Sequence, residues 1–319
     1  MFLFYQVTRV FAYKQARGNL PFHGISNKSK VISMKKFLPQ IFILIAGIAW
    51  GMIGIFTRGL YAAGFTPKSI VLTRTFGSFI VMTLLFLIAD RSVFRIKLRH
   101  FPYFIGTGVV SVVMFSLLYF MCQQYSSLAT AAILLYTAPA LVMLMSAVIW
   151  HDKVTKNKLL ALAVTFLGCV FVSGILSGSL SISAAALATG LGSAFFYALY
   201  SIFGRFALEK YSSYTVTYYT FMCAAAASFF VVSPAETFSI IAKSSSFLLI
   251  AGLIIVSTVL PFILYTKGLS QTESGKASIL ASVEPVAASL TGIIVFGEPL
   301  TMSVIAGLVC IMIAIYVLN

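Results

Sequence analysis

The sequence predicts an all-α integral membrane protein of ten transmembrane helices, arranged as two inverted five-helix repeats. Three observations carry that prediction: continuous apolar runs of bilayer length, a lopsided placement of Lys and Arg, and an internal register at which rare residues meet. Of 319 residues, 60% are hydrophobic and 9% charged, with a mean hydropathy of +1.03. A soluble domain carries about 25% charged residues. The 22 Lys and Arg against 7 Asp and Glu would suit a nucleic-acid partner by number alone. They fall instead in short segments between apolar runs, which is a topology signal and not a nucleic-acid footprint.

About 20 apolar residues span a bilayer. That rule places helices over Phe37–Thr57, Pro67–Ala89, Phe101–Cys122, Leu128–Trp150 and Lys158–Leu176, then Ser183–Phe203, Tyr214–Val232, Phe247–Leu269, Ala277–Phe296 and Thr301–Leu318. The runs are continuous, without the period-two alternation of barrel strands. With the amino terminus inside, eighteen of the 22 basic residues lie in cytoplasmic segments and three, Arg58, Lys68 and Lys243, outside, while Arg74 lies within the second helix. The positive-inside bias therefore puts both termini in the cytoplasm of a cell (inner) membrane. The domains are a basic tail over 1–36, a first repeat over 37–176 and a second over 183–319. The tail has no cleavage signal. It reads as an organelle transit segment or as residues upstream of a true start at Met34.

The register comes from superposing the halves. A shift of 146 pairs Ala131 with Ala277, Ile133 with Ile279, Pro139 with Pro285, Asp152 with Glu298 and Tyr119 with Tyr265. A shift of 147 pairs Trp50 with Tyr197 and Arg58 with Arg205. Apolar matches are cheap in this composition, so the proline, acid, arginine and tyrosine pairs carry the weight. Five helices per half is an odd number, so the second half enters the membrane the other way up. Such repeats permit two related conformations around a site near the midplane.

At these residues the sequence resembles a known family. The segments "TAAILLYTAPALVMLMSAVIWHD" and "KASILASVEPVAASLTGIIVFGEPL" are similar to the two EamA-type domains of the drug/metabolite transporter superfamily, as are "AWG" at 49–51 and "LTRTFGSF" at 72–79. The first copy departs from the pattern, with Ala138 before the proline and "WHDKVT" in place of "FGEPLT". The resemblance covers about residues 37 to 319. It implies a ten-helix carrier, often an exporter of an amino acid or related small metabolite, that hydrolyses no ATP. A carrier for a phosphorylated or nucleotide-type metabolite, in an organelle or the plasma membrane, is the alternative within the transporter class, and a structural or assembly protein the alternative outside it.

The chain contains no GxxxxGK[ST] loop. Cys122, Cys169, Cys223 and Cys310 have no metal-ligand spacing, and His23, His100 and His151 lie in basic or loop segments. No enzyme constellation, cofactor or metal is predicted. The partners are a small-molecule substrate and the lipid bilayer, with the proton as a candidate coupling ion; oligomeric state is not readable.

Seven residues are candidates for a central cavity: Trp50, Arg74, Tyr119, Tyr136, Tyr197, Tyr265 and Glu284. A carboxylate at depth costs on the order of 2.5 to 3.5 kcal/mol and reads as functional by default. Beside Pro285, which leaves a carbonyl without its amide partner, Glu284 has a structural or gating reading as well as a proton or substrate one. It could also accept from Lys276, Lys267 or Ser282. Arg74 either snorkels to the outer interface or forks an anionic substrate group. The aromatic residues suit a substrate that is part apolar and part hydrogen-bonding, though core packing also uses them. Pro139 and Pro285 are the helix-kink or gating candidates. Asp152, Glu298, Arg58 and Arg205 sit at helix ends, where solvated anchors are the ordinary reading. Gly47, Gly51 and Gly54 in the first helix, and Gly190 and Gly192 in the sixth, permit close helix approach.

Overall fold

The computed structural model describes residues 28–126, 128–172 and 183–318. Most of the basic tail, and the predicted end of the fifth helix at Leu176, lie outside them. The chain divides into Met1–Leu38 and Pro39–Asn319. The described part of the first unit is helical from Lys28. The second unit holds the helices that build the site.

The described residues form helices and no strands, as apolar chain must where lipid offers the backbone no hydrogen bonds. Among the described residues, eight helical segments are long and apolar enough to cross a membrane: α1 (Phe37–Ala62), α2 (Pro67–Ala89), α3 (Leu98–Cys122), α4 (Thr130–Trp150), α6 (Ala184–Leu208), α7 (Ser213–Val231), α8 (Phe247–Leu269) and α9 (Ser274–Phe296). Two 17-residue helices, α5 (Lys156–Val172) and α10 (Met302–Leu318), pack along one another. A short helix, Pro234–Lys243, was not foreseen from the sequence. Ser233 caps it, and Pro234 opens it.

Polar residues at the helix ends set the starts. Thr66 and Ser69 form a reciprocal capping box at α2, with Pro67 in the first turn, and Ser183 and Ser212 cap α6 and α7. Each cap satisfies an amide that the helix itself leaves unpaired.

Among the described residues five of the predicted helices are not uniform: α1 is interrupted at Met52, and the irregularities of the other four pair at the register of 146. The expected continuous helix over Leu128–Trp150 breaks at Tyr136–Thr137, and that over Ala277–Phe296 breaks at Ser282–Val283. Each break comes just before a proline, Pro139 or Pro285, which then sits in the first turn of the next helix. There its missing amide is no loss. α3 carries a π-helical stretch over Gly106–Val113 and α8 one over Ile255–Val259. α4 ends on His151 with φ 57° and α9 on Gly297 with φ 66°, so the departure "WHD" keeps the left-handed turn of "FGE".

The seams between the halves are made of small residues. A Cβ on Gly51 would lie 2.6 Å from the Glu284 carbonyl oxygen, and one on Gly47 would lie 2.6 Å from Val283 Cγ1. α1 therefore lies directly on the break in α9. Their register mates Ala198 and Ala194 are fully buried against Ala138 and Val142 of α4. The same two-helix seam is thus built twice. Gly54, by contrast, faces open space.

Candidate functional site

Where α1, α3, α6 and α8 meet, the side chains are aromatic with hydroxyl handles. Trp50 is 8% exposed and packs against Phe262 at 5.2 Å and Tyr265 at 5.3 Å between ring centres. Tyr197 meets the ring of Phe115 at 5.2 Å. The hydroxyl of Tyr265 is hydrogen-bonded to Ser201 Oγ at 2.8 Å, and that of Tyr200 to Thr266 Oγ1 at 2.7 Å. These two buried phenols thereby avoid the cost of standing unpaired. The rings enclose a cavity of about 20 Å³, room for roughly one water molecule.

Three of the seven predicted residues, Trp50, Tyr197 and Tyr265, line that cavity together. Ser111, Phe115, Ser201 and Phe262 line it too and were not singled out from the sequence. The register could have found Ser111, because its mate is Ser257, on the matching π-helical stretch, where Oγ reaches the Ala49 carbonyl at 3.3 Å.

Tyr119 does not line the cavity. It packs on Phe115 and Phe120. Tyr136 lies in the break of α4, partly buried.

Arg74 is buried at 9% exposure, and its Nε has no hydrogen-bond partner. A guanidinium that snorkelled to the interface would be exposed, so that reading does not fit. Thr73 and Ser78 beside it on α2 also carry buried hydroxyls without partners. Glu284 is the first residue of the second segment of α9, at the positive end of a helix dipole where a carboxylate is favoured. That placement makes the charge tolerable at depth. Arg74 and Glu284 lie close enough to attract one another electrostatically. Yet among the described residues neither forms an ion pair. Ser282 donates to the Ser278 carbonyl and not to Glu284.

The four helix-end charges are not separate solvated anchors. Arg58 Nη2 donates to Glu298 Oε1 at 2.6 Å, and the guanidinium lies over the ring of Phe296 at 4.3 Å. Arg205 Nη1 and Nη2 donate to the two oxygens of Asp152 at 2.5 and 3.2 Å, and its guanidinium lies over Trp150 at 4.3 Å. All three members correspond, since Trp150 and Asp152 stand 146 before Phe296 and Glu298, and Arg58 stands 147 before Arg205. Ser146 also bonds the carboxylate of Asp152. Its mate is Gly292, over which the longer side chain of Glu298 folds. An Asp with a serine and a Glu with a glycine fill equivalent space. The first clasp is the more exposed, at 51% and 45% for its two side chains against 25% and 15% for Arg205 and Asp152.

The sequence pattern that defines the EamA-like transporter family matches the chain twice, over residues 38–174 and 184–319. The chain belongs to the EamA-like transporter family. Two relatives, both named as uncharacterized transporters of Archaeoglobus fulgidus, are similar to this EamA-family chain. One is 30% identical over 197 residues, 59% of this chain and 66% of its own length; the other is 25% identical over 272 residues, 84% of this chain and 94% of its own. The uncharacterized transporter YyaM of Bacillus subtilis is 25% identical, with 86% and 92% covered. A solved crystal structure of a protein matches with a TM-score of 0.73 over 88% of this chain and 95% of that one; at 17% identity it shows the fold alone. The protein is a multi-pass membrane transporter, with a small-molecule substrate and the bilayer as its surroundings.

Proposed function

We propose that the chain is a secondary transporter of the inner membrane, with both termini cytoplasmic, that exports a small metabolite such as an amino acid by alternating access between two inverted five-helix repeats. The observation that carries this reading is the pair of register-related clasps, Arg58 to Glu298 and Arg205 to Asp152. If α1 to α10 each cross the bilayer in turn, α1 and α6 run in opposite directions. Their carboxyl-terminal arginines then stand at opposite faces. One clasp closes the route to the outside and its mate the route to the inside, with the aromatic cavity between them. Both are made here, which fits an occluded intermediate of the cycle.

Substrate chemistry follows from two charges within the spans that stand outside the lining of the aromatic cavity. Arg74 and Glu284 supply a guanidinium fork and a carboxylate that form no ion pair among the described residues, and the aromatic residues supply a floor for an apolar portion. A purely structural Glu284 would hold a neighbour in place, and among the described residues its side chain makes no such bond. It is therefore read as the site of a proton or a substrate cation, with the proton gradient as the energy source.

Uptake and counterflow of radiolabelled amino acids in proteoliposomes, with and without an imposed pH gradient, test the reading. Saturable counterflow of at least one amino acid, driven to accumulation by the gradient, is the expected result. Absence of counterflow for every amino acid, with counterflow of a sugar phosphate or nucleotide instead, would assign the carrier to the other substrate class.

A further inference from the structure

A second cavity lies away from the aromatic centre, between the connection from α2 to α3 and that from α6 to α7. The first connection, "DRSVFRIKLRH", folds as two short 3₁₀ turns, Arg91–Phe94 and Leu98–His100. It is fastened down at several points. Val93 is fully buried, and the Phe94 carbonyl accepts from the hydroxyl of Tyr219 on α7 at 2.9 Å. Tyr211, from the second connection, accepts the Lys97 amide at 2.9 Å on its hydroxyl, which is also hydrogen-bonded to His100 Nδ1 at 2.8 Å. The single phenol ties the two connections together and fixes the shape of the space between them.

That space is an open cavity of about 410 Å³ lined by Arg95, Ile96, Lys97, His100, Lys210 and Tyr211. Three side chains bring positive charge to it, and no carboxylate lines it. The acids nearest in sequence are engaged elsewhere: Asp90 accepts the Ser92 amide at 2.9 Å, and Glu209 accepts from Trp150 Nε1 at 3.4 Å. Among the described residues, Arg95, Lys97 and Lys210 form no ion pair. All three are exposed and line the one hollow. They repel one another there unless an anion sits between them.

The surroundings are those of an amphiphile. Leu98, next to Lys97, is 84% exposed, and Ile88, at the end of α2, is 90% exposed. Hydrocarbon and three cations stand side by side at the end of two spans, where the phosphates of a bilayer lie. We propose that this cavity is a phosphate site, filled by the headgroup of an anionic phospholipid whose chains run beside α2 and α3. Arg and Lys suit a phosphate through charge-assisted hydrogen bonds.

The test uses the full chain in phosphatidylcholine nanodiscs, with the thermal midpoint followed as phosphatidylglycerol replaces phosphatidylcholine. Wild type is expected to gain several degrees, and Lys97→Gln with Lys210→Gln to lose most of that gain. Lys68→Gln, which removes an exposed charge elsewhere, is expected to keep it. A second arm adds inorganic phosphate or glycerol 1-phosphate to phosphatidylcholine discs. A shift of the same size in that arm, lost in the double variant, keeps the phosphate site and assigns it a soluble ligand. If the double variant does not fold, Arg95→Gln stands in for it. An equal response of wild type and variant to phosphatidylglycerol, or no response from either, overturns the proposal.

Discussion

Glu284 and Arg74 show how a single charge is made tolerable inside a membrane protein and then left available. Glu284 begins a helix segment, so the dipole of that segment offsets part of its desolvation. Among the described residues no ion pair engages its carboxylate. Glu284→Gln keeps the volume and the helix start while removing the titratable group. It is expected to abolish accumulation driven by a pH gradient and to spare counterflow, both read in the same proteoliposomes. Equal gradient-driven accumulation by variant and wild type would return Glu284 to a structural role. For Arg74 the useful change is Arg74→Lys, which keeps the charge and loses the planar fork. Losing one charge-assisted bond costs about 1.5 to 3 kcal/mol. A rise in KM of roughly 10- to 100-fold is therefore expected for a carboxylate-bearing substrate, with folded yield unchanged. An unaltered KM would place the fork away from the substrate.

At the scale of the element, the two halves show which irregularities a sequence announces. Pro139 and Pro285 were legible, because a proline inside an apolar run must disturb the helix. That the chain would break cleanly at Tyr136–Thr137 and Ser282–Val283 was not, since the prolines then serve as helix openers and the apolar pattern runs on unchanged. The π-helical stretches in α3 and α8 left no compositional trace either. The register found Arg58, Arg205, Asp152 and Glu298 as rare matched residues, but each arginine was matched to its mate in the other repeat and not to its ion partner, which for Arg58 lies 240 residues away. Trp50 and Tyr197, which are register mates, meet at one cavity with Tyr265, whose own mate Tyr119 lies outside its lining. Tyr119 and Tyr136 do not reach its walls. The turn after α4 gives a test at this scale. His151 occupies a left-handed conformation at φ 57°, while its mate is a glycine. A side chain there costs roughly 1 to 2 kcal/mol. His151→Gly is expected to raise the thermal midpoint in detergent, and a midpoint that falls would mean that the imidazole makes a contact outweighing the strain.

For the whole molecule, the two clasps predict asymmetric gating, because the same construction is buried to different depths. The Arg58–Glu298 pair is about half exposed, and pairs of that kind contribute about 0 to 1 kcal/mol. The Arg205–Asp152 pair is more enclosed and bidentate, with Ser146 as a third member. Burial pushes the Asp152 carboxyl upward, but the hydrogen bonds from Arg205 and Ser146 and the charges of Arg205 and Lys158 outweigh it and hold it below the ordinary carboxylate range. A depressed carboxylate contributes stability above its unfolded pKa, and that contribution is lost as pH falls through the lowered folded value. This clasp therefore stays ionised through neutral and mildly acidic pH. A proton gradient in the physiological range does not titrate Asp152, so on the proposed alternating-access reading opening on that side comes from the repeats moving together. Single cysteines placed beside each clasp, in a background lacking the four native ones, read this through maleimide labelling. Labelling beside Asp152 is expected to stay flat between pH 5 and 8, whereas Asp152→Asn, by leaving Arg205 unpaired, raises it several-fold at every pH. The double reversal Asp152→Arg with Arg205→Asp is expected to restore low labelling. A steep rise near pH 6 in the otherwise unaltered protein would show that titration of a group at this face, and not movement of the repeats, releases the clasp.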